Sequence, residues 1–258
     1  MNLLALDTGT EFLSIALRTD GPHGSRVVEH QSAGGAKAST DLIAAVLQML
    51  ADAGLRLADL DAICFGSGPG SFTGLRTACS VVQGLAFGAG VPVLPVDSLL
   101  AVAEDARFRA LPDVPVLQVT ALLDARMDEM YAARYRFENG QWQTLSASAL
   151  LRPEDWAASP AGDAPHVVAG NVFTVYADRL SPASLQAAQV VPALPLAAAM
   201  LRVAPALLAQ GLAVDAALAM PSYIRDKVAK TTAEREAEKA AALAAIAAAK
   251  RGYLIYIL

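Results

Sequence analysis

The sequence predicts an α/β protein of two lobes, each a mixed sheet flanked by helices, and three observations predict it. The chain has 258 residues, enough for two ordinary domains that each bury a core. Its first lobe reads as three strands followed by helix and strand in alternation, βββαβαβα. After the proline-containing stretch ALPDVP, residues 110–115, a pattern of similar order starts again. These signals give a first lobe over residues 1–108 and a second over 109–229, whose last helices are candidates to return to the first. A C-terminal helical extension covers 230–258.

The elements follow in order. NLLALD and FLSIALRT are β-rich runs joined by the turn-like TGTE, and SRVVEHQSA supplies a third strand, so the sheet opens antiparallel. STDLIAAVLQMLADAG has Ser39 or Thr40 as N-cap, apolar positions 42, 43, 46, 47, 49 and 50, and Gly54 past its end, which predicts a helix. DAICFG is a buried strand, SFTGLRTACSVVQGLAFGAG a second helix and VPVLPV another strand. DSLLAVAEDARF is a helix capped by Asp97 or Ser98. In the second half VLQVTALLDA, EMYAARYRF and QWQTLS are strands, RPEDWAAS marks a helix, HVVAG is a strand and LPLAAAMLRVAPALLAQG a helix.

Composition excludes several classes. Hydrophobic residues make up 55%, yet no 18-residue run is free of polar side chains and glycine, so no membrane span is predicted. MNLLALDTGT lacks a basic region and a cleavage-like site and reads as a first strand, not a signal peptide. Cys64 and Cys79 have no CxxC spacing and read as reduced, buried thiols of a cytoplasmic protein. A net charge of −5 argues against a surface that grips nucleic acid by itself. His23, His30 and His166 are too few and wrongly spaced for HxxxH or HExxH, so no metal site is predicted. Asp124, Asp128 and Glu129 of DARMDE suit either a solvated connection or a hard cation.

GSGPGSFTGLR, residues 66–76, invites a phosphate-binding reading. The Walker A frame fails because Leu75 follows Gly74, and the dinucleotide frame fails because Thr73 stands where its last glycine belongs. Two readings remain. Asp7, Gly68, Gly70, Ser71 and Gly74 form a nucleotide or anion loop at a helix start, or the glycines let strand and helix pack closely. The helix that follows carries one charged side chain, Arg76, between Ser71 and Ala89. A helix apolar on all sides must be covered on all sides, and the helix at 39–53 has the same excess. Either the two helices cover each other or the second lobe, or a partner covers them.

LALDTGT contains the Asp-Thr-Gly of aspartic proteases, but one copy in a helical chain does not make their facing pair of carboxylates. The same residues resemble the first phosphate loop of the actin, Hsp70 and sugar-kinase superfamily. The matching D-x-G-G/T loop of a second lobe is missing, because TALLDARMDEMY stands there, so strong ATP hydrolysis is not expected.

Taken together, GPGSFTGLR, LALDTGT, DARMDEMY and PSYIRDKVA resemble the TsaB (YeaZ) family over about residues 1–229. The resemblance implies a two-lobed actin-like ATPase (ASKHA, ribonuclease H-like) fold without catalytic competence. It implies a non-catalytic scaffold required with TsaD and TsaE for N6-threonylcarbamoyl modification of the adenosine beside the anticodon, in tRNAs reading codons that begin with A. It further implies no cofactor of its own, ATP or ADP at the interface of the complex, tRNA reached only through the complex, a homodimer when alone, and no membrane. Pairing in the family uses the first two helices, which here gives Leu42, Ala45, Val46, Met49, Phe72, Arg76, Cys79, Val82 and Gln83 as contact residues. The chain departs from the family at AKASTD, where a His-Ser-Glu-like helix start is common, and in the alanine-rich segment after Ala229. The alternative is an active small-molecule kinase or ATPase using Asp7 and the loop Gly68 to Gly74.

Overall fold

A computed structural model of the chain describes residues 1–22, 24–34, 38–158, 164–186 and 188–225, with the side chains of 38–40 left aside. His23, the last residue of the helix expected over 152–159, and the extension from 230 lie outside the described residues. Residues Met1–Ile224 form one compact unit containing two five-stranded sheets.

The first sheet is built from β1 (Asn2–Asp7), β2 (Phe12–Gly21), β3 (Gly24–Ala33), β4 (Ala62–Gly68) and β5 (Val93–Asp97), in the order β3-β2-β1-β4-β5. β1, β2 and β3 run antiparallel, and β4 and β5 add in parallel. The period of two along β1 decides the packing: Leu4 and Leu6 enter one core, Leu3 and Ala5 another on the opposite face. α1 (Ala38–Asp52) and α2 (Phe72–Ala89) cover the first of these faces. α1 starts ahead of the cap expected at Ser39 or Thr40, so both residues lie inside the helix, and it stops two residues before Gly54, whose φ is 68°. Gly90, with φ 68°, closes α2 through its N–H to the Ala86 carbonyl.

The second sheet repeats this order. β6 (Val116–Asp124), β7 (Met130–Glu138) and β8 (Gln141–Leu151) are antiparallel, and β9 (His166–Gly170) and β10 (Gln189–Pro192) join β6 in parallel, giving β8-β7-β6-β9-β10. The helix expected near residues 152–159 is a single 3-10 turn, Pro153–Asp155. The chain turns extended at Trp156, which is buried in the lobe's outer core instead of continuing a helix. β10 and the short helices α4 (Val172–Val175) and α5 (Pro182–Gln186) escape sequence reading because each is too short to show a period.

Two longer helices join the lobes. α3 (Ser98–Ala110) follows the first sheet but buries Leu99, Val102, Ala103 and Ala106 against the second. α6 (Ala197–Ala209) follows the second sheet and packs Ala197 to Ala204 against Leu3, Ala5, Cys64 and Val96 of the first. Asp97 caps α3, its Oδ1 accepting from the N–H of Leu99 and Leu100 at 2.7 and 3.2 Å. Glu104 of α3 is 2% exposed, and its carboxylate accepts from Arg107, Arg202 of α6 and the Trp142 indole of β8. Such pairing offsets part of the cost of the buried charge and ties three elements from both lobes together. Among the described residues no helix is long and apolar enough to cross a membrane.

Candidate functional site

Three segments converge at the C-terminal ends of β1 and β4: the turn Thr8–Gly9, the glycine stretch 66–70, and the first turn of α2. Thr8 donates its hydroxyl to the Gly74 carbonyl at 2.6 Å, and Ser71 N–H donates to the Gly9 carbonyl at 2.8 Å. The approach is so close that a Cβ on Gly74 would overlap the Thr8 carbonyl oxygen, and one on Gly70 would lie 2.9 Å from that of Gly9. Gly68 has φ 118°, and its open side is covered by the Ser222 carbonyl, 2.6 Å from where a Cβ would stand. Ser222 N–H in turn donates to the Ser67 carbonyl at 2.7 Å. Of the two readings of this stretch, the structure favours close packing.

Asp7 lies beneath these segments, 1% exposed. Its Oδ1 accepts from Gly9 N–H at 2.9 Å, while Oδ2 has no hydrogen-bond partner and faces Gly66, where any Cβ would overlap it. Burial pushes the carboxyl up to about 7, the Gly9 N–H offsetting only part of that. Asp7, Gly68, Gly70, Ser71 and Gly74 are therefore brought together, in close contact with the turn at Thr8 and Gly9. A phosphate loop needs amides turned to open space and a solvent-accessible carboxylate for the metal. Here backbone fills the space beside Gly68, Gly70 and Gly74, and the Asp7 carboxyl is enclosed, so it does not fit the metal of a bound ATP.

The helix faces are divided more sharply than the sequence suggested. Leu42, Val46, Met49, Cys79 and Val82, expected as contact residues, are all 8% exposed or less and form the core above Leu4, Leu6, Ile15 and Phe65. They are corrected to core residues: the sheet needs one full apolar stripe from each helix, and these side chains supply it. Ala45 and Gln83 are half-buried, Gln83 donating its amide to the Ala219 carbonyl at 2.9 Å. Of the nine expected contact residues, only Phe72 and Arg76 are exposed. The outward apolar residues are instead Ile43 and Leu47 of α1 and Phe72 and Phe87 of α2, exposed by 42, 49, 40 and 78%. Their signal was present: positions 43 and 47 are one helical turn apart on a line different from 42, 46 and 49.

The corresponding turn of the second lobe is built differently. Arg126, Met127 and Asp128 all have positive φ, between 54° and 62°, without a glycine among them. Asp124 holds this turn, accepting from Arg126 N–H at 2.8 Å and the Tyr176 hydroxyl at 2.8 Å and pairing with the Arg126 guanidinium at 3.0 Å. Asp128 pairs with Arg179 at 2.9 Å. Two of the three carboxylates offered as cation ligands, Asp124 and Asp128, are thus engaged within the protein, and no group of three His, Cys, Asp or Glu suited to a metal occurs among the described residues.

Comparison with known proteins bears on this geometry. The family model described as TsaD, tRNA N6-adenosine threonylcarbamoyltransferase, matches residues 28–251, past the point at residue 229 where the sequence resemblance stops. The tRNA threonylcarbamoyladenosine biosynthesis protein TsaB of Escherichia coli (strain K12) is 34% identical over 233 residues, 89% of this chain and 96% of that protein. YeaZ from Pseudomonas aeruginosa, a solved structure, has a TM-score of 0.74 at 37% identity, covering 86% of this chain and 99% of that one. The chain belongs to the TsaB family.

TsaB-family membership agrees with the architecture described above: the fold is the two-lobed actin-like, ASKHA-type α/β fold that the motifs implied. The TsaB-like stamp GPGSFTGLR falls on the strand-to-helix turn, where Gly70 and Gly74 permit the contact with Thr8 and Gly9. The residues missed by sequence reading are Ile43, Leu47 and Phe87 on the outer helix face and Ser222 over the glycine turn.

Proposed function

We propose that this TsaB-family chain acts in tRNA threonylcarbamoyladenosine biosynthesis, as a non-catalytic scaffold that works with TsaD and TsaE on the adenosine beside the anticodon. The observation that carries the pathway is the match to Escherichia coli TsaB along 96% of that protein. The scaffold role is supported by two features of the site: glycines packed on the chain's own backbone, and the outward apolar residues Ile43, Leu47, Phe72 and Phe87 on helices whose core-facing stripes are already satisfied. An apolar face of this kind, on the first two helices, suits protein docking. TsaD is its occupant in the complex, and a second copy covers it in the isolated chain. tRNA reaches the chain only through the complex, in the cytoplasm, and ATP or ADP belongs to the interface of the assembled proteins.

Leu47→Asp tests the reading, since it places a charge on the outer side of α1 and leaves the core stripe intact. The variant should keep the parent's thermal midpoint, lose its complex with TsaD on a sizing column, and fail to support modification in a reconstituted reaction. Normal tRNA modification with this chain omitted would overturn the scaffold role. Turnover of ATP by the purified chain, abolished in Asp7→Ala, would favour the kinase alternative instead.

A further inference from the structure

Arg76 is the only charged residue of α2, and its guanidinium is fixed on the open side of the helix. Its Cζ lies 3.9 Å from the centre of the Phe72 ring, and its Nε donates to the Tyr223 hydroxyl at 2.9 Å. The two rings meet at 5.4 Å, both exposed. A free surface arginine samples many rotamers; stacking plus a hydrogen bond at Nε removes much of that freedom before any partner arrives. No carboxylate pairs with Arg76 among the described residues, so Nη1 and Nη2 stay open as a planar fork. Beside the fork runs a groove of about 460 Å³ lined by Phe72, Thr73, Arg76, Thr77, Ser80 and Val81. Thr77 turns its hydroxyl back to the Thr73 carbonyl, which leaves Thr73 and Ser80 as the hydroxyls beside the cation.

We infer that this fork receives a carboxylate, an Asp or Glu side chain of the protein that docks on the outer face of α1 and α2. The inference rests on the docking reading above and adds the chemistry of the partner. A planar guanidinium held at Nε matches a carboxylate through its two remaining nitrogens, and the aromatic walls exclude water once the partner is seated. Protein is favoured over RNA phosphate because a nucleic-acid contact draws on several cations, whereas α2 has one and the neighbouring α1 carries Asp41 and Asp52 with no lysine or arginine. Tyr223 is a positioning residue: it reaches Arg76 from the segment after α6, beside Ser222, and aims the fork without needing to touch the partner.

The experiment measures affinity of the full chain for TsaD at two salt concentrations, with circular dichroism and thermal midpoints on every variant. Arg76→Glu should weaken binding by about 30- to 100-fold and Arg76→Lys by about 5- to 10-fold, since a lysine cannot fork. Tyr223→Phe should weaken it about threefold alone and not at all in an Arg76→Gln background, a non-additivity that a merely structural role would not produce. Replacing the partner's acidic residues by lysine one at a time should rescue Arg76→Glu at a single position. Equal affinities for parent and Arg76→Glu, with Leu47→Asp still abolishing the complex, would overturn the fork and leave the docking reading standing. Loss of tRNA retention at unchanged protein affinity would assign the fork to phosphate and overturn it too. No complex with the parent chain at all would remove both.

Discussion

The two lobes share one strand order and differ in almost everything attached to it. Each sheet is an antiparallel meander extended by two parallel strands. In the first lobe the connections are helices of 15 and 18 residues; in the second the same places hold a 3-10 turn and helices of four and five residues. A long helix has an outer side as well as a core side, whereas a single turn can only plug its own sheet. The difference explains why the outer apolar surface of α1 and α2 belongs to the first lobe. It also explains why the second lobe is closed by side chains such as Trp156, Tyr176 and Leu180.

The turns after the central strands show the same contrast. After β1 the chain turns through Thr8 and Gly9 and is clamped by glycines of another element; after β6 it turns through three left-handed residues held by Asp124. Both lobes use close backbone approach, at Gly74 and at Gly170, and the second adds a carboxylate network at its turn.

The largest expected effect tests the clamp. Gly74→Ala in the first lobe drives a methyl into the Thr8 carbonyl, and Gly170→Ala in the second drives one into that of Leu122 at a φ of 149°. Each should lower stability by about 3 kcal/mol or more, read as the midpoint of urea unfolding. Tolerance of either substitution would show that its lobe does not depend on backbone contact.

A smaller effect separates the two aspartates. Asp7 is raised to about 7, so the folded chain holds a proton that the unfolded chain has released between about pH 4 and pH 7. Its contribution is favourable below pH 4 and is lost as pH rises through 7. Asp7→Asn should therefore be more stable than the parent at pH 8, by about 1–3 kcal/mol, with the advantage shrinking toward pH 5. A pH-independent difference between the two proteins would mean that the carboxyl is not the titrating group. The smallest effect is in the second lobe: Tyr176→Phe removes the hydroxyl that bonds Asp124 and the Glu129 carbonyl, at about 1 kcal/mol in the same unfolding assay. An unchanged midpoint there would remove the network as the reason that turn holds its shape.

What was legible in the sequence follows from what is local. The strands of both sheets except β10, and helices α1, α2, α3 and α6, were readable because alternation and helical spacing are written within one segment. The turn at 153–155 was not, because RPEDWAAS has a helical start and only tertiary burial of Trp156 pulls the chain out of it. Helices α1 and α2 were readable but their inner and outer faces were not: with apolar residues at 42, 43, 46 and 47, periodicity offers two adjacent stripes and does not say which meets the sheet.

By itself the sequence determined the two-lobed α/β class, the order of most strands and long helices, and the motifs that mark the TsaB family. Only the tertiary structure decided that α3 and α6 each pack on the other lobe's sheet, that Leu42, Val46 and Val82 are core, and that the glycines of GPGSFTGLR are filled by the turn at Thr8 and Gly9. The physical reason is that propensity and period are properties of neighbours along the chain. Which surface is buried, and how closely two backbones approach, depend on residues far apart in sequence.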